Sequence, residues 1–342
     1  MRQVVITRLG GPEVLQVRES PDPAPGRGQV RVRVRAAGVN FADTLMRMGL
    51  YPGAPKAPFT PGYEACGVVD ETGPDADGWK PGDRVIVPTN FGGYADTLVV
   101  PAAQLFRLPE GKSFEEGAAL TVNYLTAYEA LVEQGHLRSR GRVLVHGAAG
   151  GVGVAAAQVA KVFGATVFGT ASASKHDFCR KHGVDRPIDY RSEDFETVIR
   201  RETGGHGVHV ALDPIGGHSF RKSYRCLAPT GKLICYGFSA AAPGTRRRWL
   251  SVLWHYLRTP SFSPLALMTE NRGVVGLHLG RLTGEAELLG AAMKELLDWW
   301  QAGKLSPVVG ATFPLELAAK AHEYLQGRGS VGKVVLTAGG SK

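Results

Sequence analysis

Between residues 29 and 36 apolar and basic side chains alternate, Val30, Val32 and Val34 against Arg31, Arg33 and Arg35. That is the period of a half-buried strand, so the three arginines are expected on its solvated face. Further β-rich stretches recur at 4–7, 63–70, 83–88 and 94–100. Turn signals separate them at Pro23 to Gly28, Gly73 to Gly78, Pro81-Gly82-Asp83 and Gly92-Gly93. A short helix is expected at 41–48.

From about residue 123 the rhythm becomes strand, helix, strand, helix. Strands are expected at 142–146, 165–169, 187–189, 208–212, 231–236 and 273–277, and helices at 152–163, 174–182, 192–202 and 217–227. Strands alternating with helices predict a doubly wound parallel sheet, an α/β Rossmann domain. A long connection, Ser239 to Asn271, and an amphipathic helix at 284–302 complete this part. The last forty residues turn β-like again. The expected plan is a β-rich domain over 1–122, rejoined by 303–342, around a Rossmann domain over 123–302.

The strongest local signal is the apolar run Val143-Leu144-Val145-His146 leading into Gly147-Ala148-Ala149-Gly150-Gly151-Val152-Gly153 and a helix of small residues. Glycines let a backbone turn tightly and approach a pyrophosphate, and the helix N-terminus offers it free N–H groups. Against G-x-G-x-x-G, Ala148 replaces the first glycine, while Gly150 and Gly153 match. Strand before and helix after make this a dinucleotide site rather than a bare tight turn.

An NAD site carries an acid about 20 residues on, at the end of the second strand. Here that place is taken by Ala171, followed by Ser172, Ala173, Ser174 and Lys175, and no acid occurs before Asp177. Ser172 can donate to a phosphate and Lys175 can neutralise it, which favours NADPH. The same serines could instead cap a helix.

Charge and cysteine usage change this picture little. The 342 residues carry a formal net charge of +9, which permits a phosphorylated cofactor, an anionic surface or nucleic acid and selects none. No RNA-binding motif occurs, and nucleic acid is not expected as a partner. Cys66, Cys179, Cys226 and Cys235 form no C-x-x-C pair, and no apolar run reaches the length of a membrane span, so a cytoplasmic protein is expected. His206 and His209 lie three apart in a glycine-rich turn and read as solvated or packed. The connection holds Arg246-Arg247-Arg248, then Trp249, Leu250, Leu253, Trp254, Tyr256 and Leu257. It is open to three readings: a dimer contact or lid, ordinary packing of a surface helix, and, as the lesser one, peripheral membrane contact.

Five stretches together resemble the medium-chain dehydrogenase/reductase superfamily on its quinone oxidoreductase side, which includes zeta-crystallin. They are residues 37–43 (AGVNFAD), 61–67 (PGYEACG), 81–85 (PGDRV), the glycine turn, and 213–217 (DPIGG). Residues 120–128, 168–176 and 276–280 are similar to the vesicle amine transport protein homologues within it. The resemblance implies a GroES-like catalytic domain beside the Rossmann domain, NADPH as cofactor and a homodimer joined at the Rossmann sheet edge. It places Asn40 and Thr126 near the nicotinamide, and Ser172, Lys175 and Tyr190 near the 2′-phosphate. Along the rest of the cofactor it places Ala149, Gly150, Gly151, Val152, Gly153, Ile215, Gly237, His278 and Lys333. Tyr51 and Tyr63 face the substrate side.

Zinc-dependent members hold the metal with a Cys, a His and a later Cys. Here those positions fall on Asn40, Tyr63 and, by count, Val122. An amide, a phenol and an aliphatic chain do not make the N/S site that zinc prefers, so no metal is expected. Without a Lewis acid, electron-poor acceptors are favoured: quinones and the C=C bond of enones. The expected function is hydride transfer from NADPH to such an acceptor, with Asn40, Tyr51 and Tyr63 orienting it and steadying charge. The alternatives are an alcohol or aldehyde dehydrogenase, and an NADPH-binding scaffold or membrane-associated protein with little turnover.

Overall fold

The computed structural model describes residues 1–327 and 329–339, and within it the chain divides into two units. The first holds Met1–Val122, Gly244–Arg247 and the chain from Pro307 on; the second holds Asn123–Pro243 and Arg248–Ser306.

In the first unit β1 (Arg2–Ile6) and β2 (Leu15–Glu19) pair as a small ribbon. Next come β3 (Gln29–Val39), α1 (Phe41–Met48), β4 (Glu64–Thr72), β5 (Arg84–Pro88), β6 (Thr97–Pro101) and β7 (Phe106–Arg107). Then α2 (Phe114–Tyr128) leads into the second unit. There the order is β8 (Arg142–His146), α3 (Gly151–Val162), β9 (Thr166–Ala171), α4 (His176–Lys181), β10 (Arg186–Asp189) and α5 (Phe195–Glu202). It continues with β11 (Val208–Asp213), α6 (His218–Arg225), β12 (Leu227–Cys235), α7 (Trp249–Leu257), α8 (Pro264–Glu270), β13 (Gly273–Gly276) and α9 (Ala286–Gln301). The chain returns to the first unit with β14 (Val309–Pro314), α10 (Ala318–Gln326) and β15 (Lys333–Thr337).

The alternating segment is the middle of the first unit's sheet, in the order β14-β15-β3-β4-β5-β7, with β6 also on β3. Val30, Val32 and Val34 are buried as the period demands. The opposite face is not simply solvated, which corrects the expectation for two of the arginines. Across the antiparallel register Arg31 pairs with Asp70 and Glu71 at 2.7 Å, and Arg33 with Asp70 at 2.9 Å and Asp22 at 2.6 Å. Arg31 keeps only 17% of its side chain exposed; Arg35, without such partners among the described residues, is exposed.

The second unit's sheet runs β10-β9-β8-β11-β12-β13, every neighbouring pair parallel. The run Ala155, Ala156, Ala157 and Ala160 is buried, and these small side chains let α3 lie close on β8 and β9. The return to the first unit falls at Pro307 rather than at 303. Gln158 of α3 holds the backbone of Ser306, accepting from its N–H at 2.8 Å and donating to its carbonyl at 3.0 Å. Residues 244–247 also belong to the first unit, where Arg47 donates to the carbonyl of Thr245 at 3.1 Å and Gln326 to that of Gly244 at 2.8 Å. Among the described residues no helix is long and apolar enough to cross a membrane.

Candidate cofactor and active site

The loops that follow the carboxyl ends of the parallel strands carry the sequence-marked residues in the order of the sheet. Across it stand Tyr190 after β10, Ser172 after β9, the glycine turn after β8, Ile215 after β11, Gly237 after β12 and His278 after β13. This is the edge at which open α/β sheets bind ligands.

The glycines at the start of α3 are required by what surrounds them. Gly147 has φ +65°, where other residues are strained. A Cβ at Gly153 would lie 2.3 Å from the carbonyl oxygen of Gly147, and one at Gly151 would lie 2.3 Å from Nδ2 of Asn123. Asn123 therefore packs over the helix start, and α2 carries Thr126 one turn further along. Gly150 is the extended residue before α3, and Val152 and Gly153 form its first turn beside Ala149, so the first N–H groups of the helix point from a cradle with little side-chain bulk. The residues fit a dinucleotide pyrophosphate.

At the neighbouring strand end, Ser172 precedes a short 3-10 turn without capping it; its Oγ instead meets Oγ of Ser174 at 3.3 Å. Burial, and then the nearby Arg191, hold the Lys175 ammonium below its usual value. Tyr190 is half exposed, with the Arg191 guanidinium 5.8 Å from its ring centroid. Tyr190 is thus not the core residue that a tyrosine at a strand end commonly is. Two cations set near two hydroxyls suit a phosphate monoester. Sequence reasoning missed Arg191, and also Asn123; neither carries a motif of its own.

Beneath this edge a buried polar chain ties three loops together. His146 meets Thr170 Oγ1 through Nδ1 at 3.0 Å and Ser223 Oγ through Nε2 at 2.9 Å. Ser223 and Ser219 both donate to Oδ2 of Asp213 at 2.7 Å. The other oxygen of Asp213 accepts from Ile215 N at 2.8 Å and Gly216 N at 3.3 Å. Two further backbone bonds, Ser239 N to Pro214 O at 2.9 Å and Ala240 N to Ile215 O at 3.0 Å, join this loop to the one bearing Gly237. Burial holds His146 below its usual value, so it is neutral and its two nitrogens differ.

The first unit has a buried polar cluster of its own. Asn40 precedes α1, and its backbone N–H donates to Oδ2 of Asp43 at 2.8 Å. Its side chain bridges an ion pair between Lys333 and Glu64, which are 2% and 0% exposed. Lys333 Nζ donates to Asn40 Oδ1 at 2.6 Å, and Asn40 Nδ2 donates to Glu64 Oε1 at 3.0 Å. The second oxygen of Glu64 accepts from the N–H of Val122 at 2.7 Å. Tyr51 and Tyr63 pack with ring centroids 6.3 Å apart, among Ile6, Val14, Met46, Phe59 and Phe91. Burial, and then a hydrogen bond to Tyr51, raise the Tyr63 phenol above its usual value, so it stays protonated.

The zinc positions hold these same groups. Asn40 is bound to Lys333 and Glu64, Tyr63 is a protonated phenol, and Val122 contributes only its backbone N–H. This set does not fit a zinc ion. His209 Nδ1 accepts from the backbone N–H of Arg142 at 2.9 Å, a packed role. Among the described residues no group of three His, Cys, Asp or Glu is placed to hold a metal.

From Asp43 the cluster runs on to Tyr94, whose hydroxyl is 3.0 Å from Asp43 Oδ2 and 3.0 Å from His322 Nε2. Burial pushes the Asp43 carboxyl up to about 6 from 3.8, and burial, then Arg47, pushes His322 down to about 3 from 6.5. The two act on stability with opposite signs. The contribution of Asp43 is full below about pH 4 and is lost as the pH rises through about 6. That of His322 is full above 6.5 and is lost as the pH falls toward 3. From about pH 6 to about pH 4 the slopes, each about 1.4 kcal/mol per pH unit, oppose one another. Asp43→Asn should therefore unmask a loss of stability on acidification over that window, and His322→Gln a gain. Thermal melts with the same pH profile in the parent and both variants would contradict this.

Comparisons with known proteins agree with the architecture. Residues 26–110 match the family described as "Alcohol dehydrogenase GroES-like domain", and residues 182–336 match "Zinc-binding dehydrogenase". The chain is 43% identical over 339 residues to the synaptic vesicle membrane protein VAT-1 homolog of Danio rerio, covering 98% of this chain and 70% of that one. It is similar in structure to the Escherichia coli quinone oxidoreductase complexed with NADPH, with TM-score 0.86, 31% identity, and coverage of 98% and 100%. The CurK enoyl reductase gives TM-score 0.86 at 28% identity, with 98% of each chain covered. With its GroES-like sheet and parallel Rossmann sheet, this chain belongs to the quinone oxidoreductase family of the medium-chain dehydrogenase/reductase superfamily, near the VAT-1 homologues.

Proposed function

We propose that the protein is a zinc-independent, NADPH-dependent reductase that passes hydride to quinones or to the activated C=C bond of enones. The observation that carries this reading is the alignment of six marked loop ends along the carboxyl edge of one parallel sheet, with the hydroxyls and cations of 172–175 and 190–191 at one end of it. The NADPH bound by the Escherichia coli relative and the enoyl reductase activity named for CurK support it.

Bound at this edge, NADPH would supply the hydride and thereby become NADP⁺. The chain's own residues do the rest. The glycine turn, Ala149 to Gly153, receives the pyrophosphate on backbone N–H groups. Ser172, Lys175 and Tyr190, with Arg191, take the 2′-phosphate. Ile215, Gly237 and His278 shape the remainder of the edge. We assign Thr126, Asn40 and Lys333 to the nicotinamide end, and Tyr51 and Tyr63 to the acceptor. As hydride reaches carbon, negative charge develops on the acceptor oxygen; the amide of Asn40 and the phenols can steady it by hydrogen bonding, and water delivers the balancing proton. We further propose a cytoplasmic homodimer, joined at the β13 edge of the parallel sheet.

Loss of one charge-assisted phosphate contact is worth about 1.5–3 kcal/mol, or about 10- to 150-fold. Fluorescence titration should show Lys175→Ala weakening NADPH by about that factor, with NADH changed by less than about twofold. Equal losses for both cofactors would remove Lys175 from the phosphate site. The function itself is tested by NADPH consumption against ortho- and para-quinones, linear enones and aldehydes. Turnover is expected with the first two classes; oxidation of simple alcohols with NADP⁺ and no reduction of either class would reject it.

A further inference from the structure

The polar chain beneath the cofactor edge has a direction, and its carboxylate end sets it. Four donors point at the two oxygens of Asp213: the hydroxyls of Ser219 and Ser223, and the N–H groups of Ile215 and Gly216. Asp213 accepts from all four, so the hydrogen of the Ser223 hydroxyl is committed to it. Ser223 Oγ can then only accept from His146, which places the ring proton on Nε2, 2.9 Å away. Burial keeps the imidazole neutral, so Nδ1 is bare and can only accept. Thr170 is the donor there, with Oγ1 3.0 Å from Nδ1. The same Thr170 oxygen accepts from the N–H of Gly147 at 3.3 Å.

One arrangement of protons thus satisfies every link from Gly147 to Asp213, each hydrogen pointing toward the carboxylate. The other tautomer would face the lone pair of Nε2 against Ser223 Oγ and leave the Thr170 hydroxyl without its acceptor. None of His146, Thr170, Ser223 and Asp213 is more than 2% exposed, so bulk water does not mend a broken link. Phe195 closes one side, packed on the imidazole edge to face with 4.7 Å between ring centroids. Both ends of the chain are loops of the cofactor edge. Thr170 holds the glycine turn twice, Gly147 N–H through its side chain and Ala148 N–H through its carbonyl at 3.0 Å. Asp213 holds the loop that carries Ile215.

We propose that His146, as the Nε2–H tautomer, is a positioning residue for the cofactor: oriented from Asp213 through Ser223, it aims Thr170 and so fixes the Gly147 N–H and the glycine turn against the 213–217 loop. This role rests on the glycine turn being the pyrophosphate site, as proposed for it. His146 acts through Thr170 and its neighbours on the chain. The turn is thereby formed in the free protein, and binding does not bear the cost of ordering it.

The test begins with the cofactor-free full chain at neutral pH. Nitrogen-15 spectra of the histidine rings, with the His146 signals identified by their loss in His146→Gln, should show a neutral ring protonated at Nε2. In Asp213→Asn the amide oxygen has to stay with the N–H groups of Ile215 and Gly216, so the amide N–H groups face the two serines. Ser223 then donates to His146, and the ring proton is expected on Nδ1. Thr170→Val, which removes the links to both His146 and Gly147, should weaken NADPH about tenfold in fluorescence titration, while Thr170→Ser stays within about twofold of the parent. An Nδ1–H or doubly protonated ring in the parent overturns the proposal, whatever the variants do. So does an Asp213→Asn ring that keeps its proton on Nε2. Parent-like NADPH binding by Thr170→Val, or an equal loss in Thr170→Ser, overturns it as well, because the hydroxyl would then have no part in placing the turn. A parent with the Nε2–H ring that binds no NADPH would fail the cofactor reading itself and take the positioning role with it.

Discussion

Lys333→Met is expected to destabilise the fold by about 3–5 kcal/mol. Lys333 and Glu64 are both buried, so neither charge is hydrated, and each is held by the other and by the amide of Asn40. Removing the ammonium leaves a buried carboxylate whose remaining partners are two N–H donors, from Asn40 and Val122. The penalty of an uncompensated buried charge far exceeds the net worth of the pair itself. The double variant Glu64→Gln with Lys333→Met removes both charges and should recover most of the loss. Denaturant unfolding of the two variants against the parent reads this directly. Equal losses in the single and double variants would show that Lys333 acts by packing and not as a counter-charge.

Asn40→Ala should lower turnover by about 100- to 1000-fold, the range found when one donor to a developing oxyanion is removed. The side chain is pre-set for that role. Its oxygen faces the Lys333 ammonium and one N–H faces Glu64, so the amide cannot turn over without setting like dipoles against both. Its second N–H has no protein partner among the described residues. A donor fixed in this way does not reorganise during the reaction, which is the condition for a large effect. Steady-state kinetics with a quinone and an enone should show the loss in kcat, with the NADPH dissociation constant within about threefold of the parent's. A loss confined to cofactor affinity or to melting temperature would make Asn40 a structural residue only.

The parts of the molecule governed by local period were legible in the sequence. All six strands of the parallel sheet stand within a few residues of their expected places, because each is a short apolar run bounded by turn residues. Helix α1 lies at Phe41–Met48, as its pattern predicts. Three helices were not legible; one of them, α8, is a seven-residue helix inside the long connection Ser239 to Asn271. In α2 the run 117–128 carries no polar stripe, since much of its surface is buried, and periodicity cannot then separate it from irregular core. In α10 the nine residues Ala318–Gln326 lie between strands and were absorbed into a β-like tail. The chemistry divides in the same way. The glycine turn and the missing acid at Ala171 are local signals. The partners of Asn40 are not: Lys333 lies 293 residues away in the chain, and no spacing announces the pair.

The central claim is direct hydride transfer from NADPH to an electron-poor acceptor without a metal. The measurement that reaches it most directly uses NADPH deuterated at the transferring carbon, with a linear enone as acceptor, in chelator-treated protein. One deuterium is expected at the β-carbon of the product and a solvent proton at the α-carbon, with a rate unaffected by the chelator. Product with no deuterium, or activity that disappears with the chelator and returns with zinc, would contradict it.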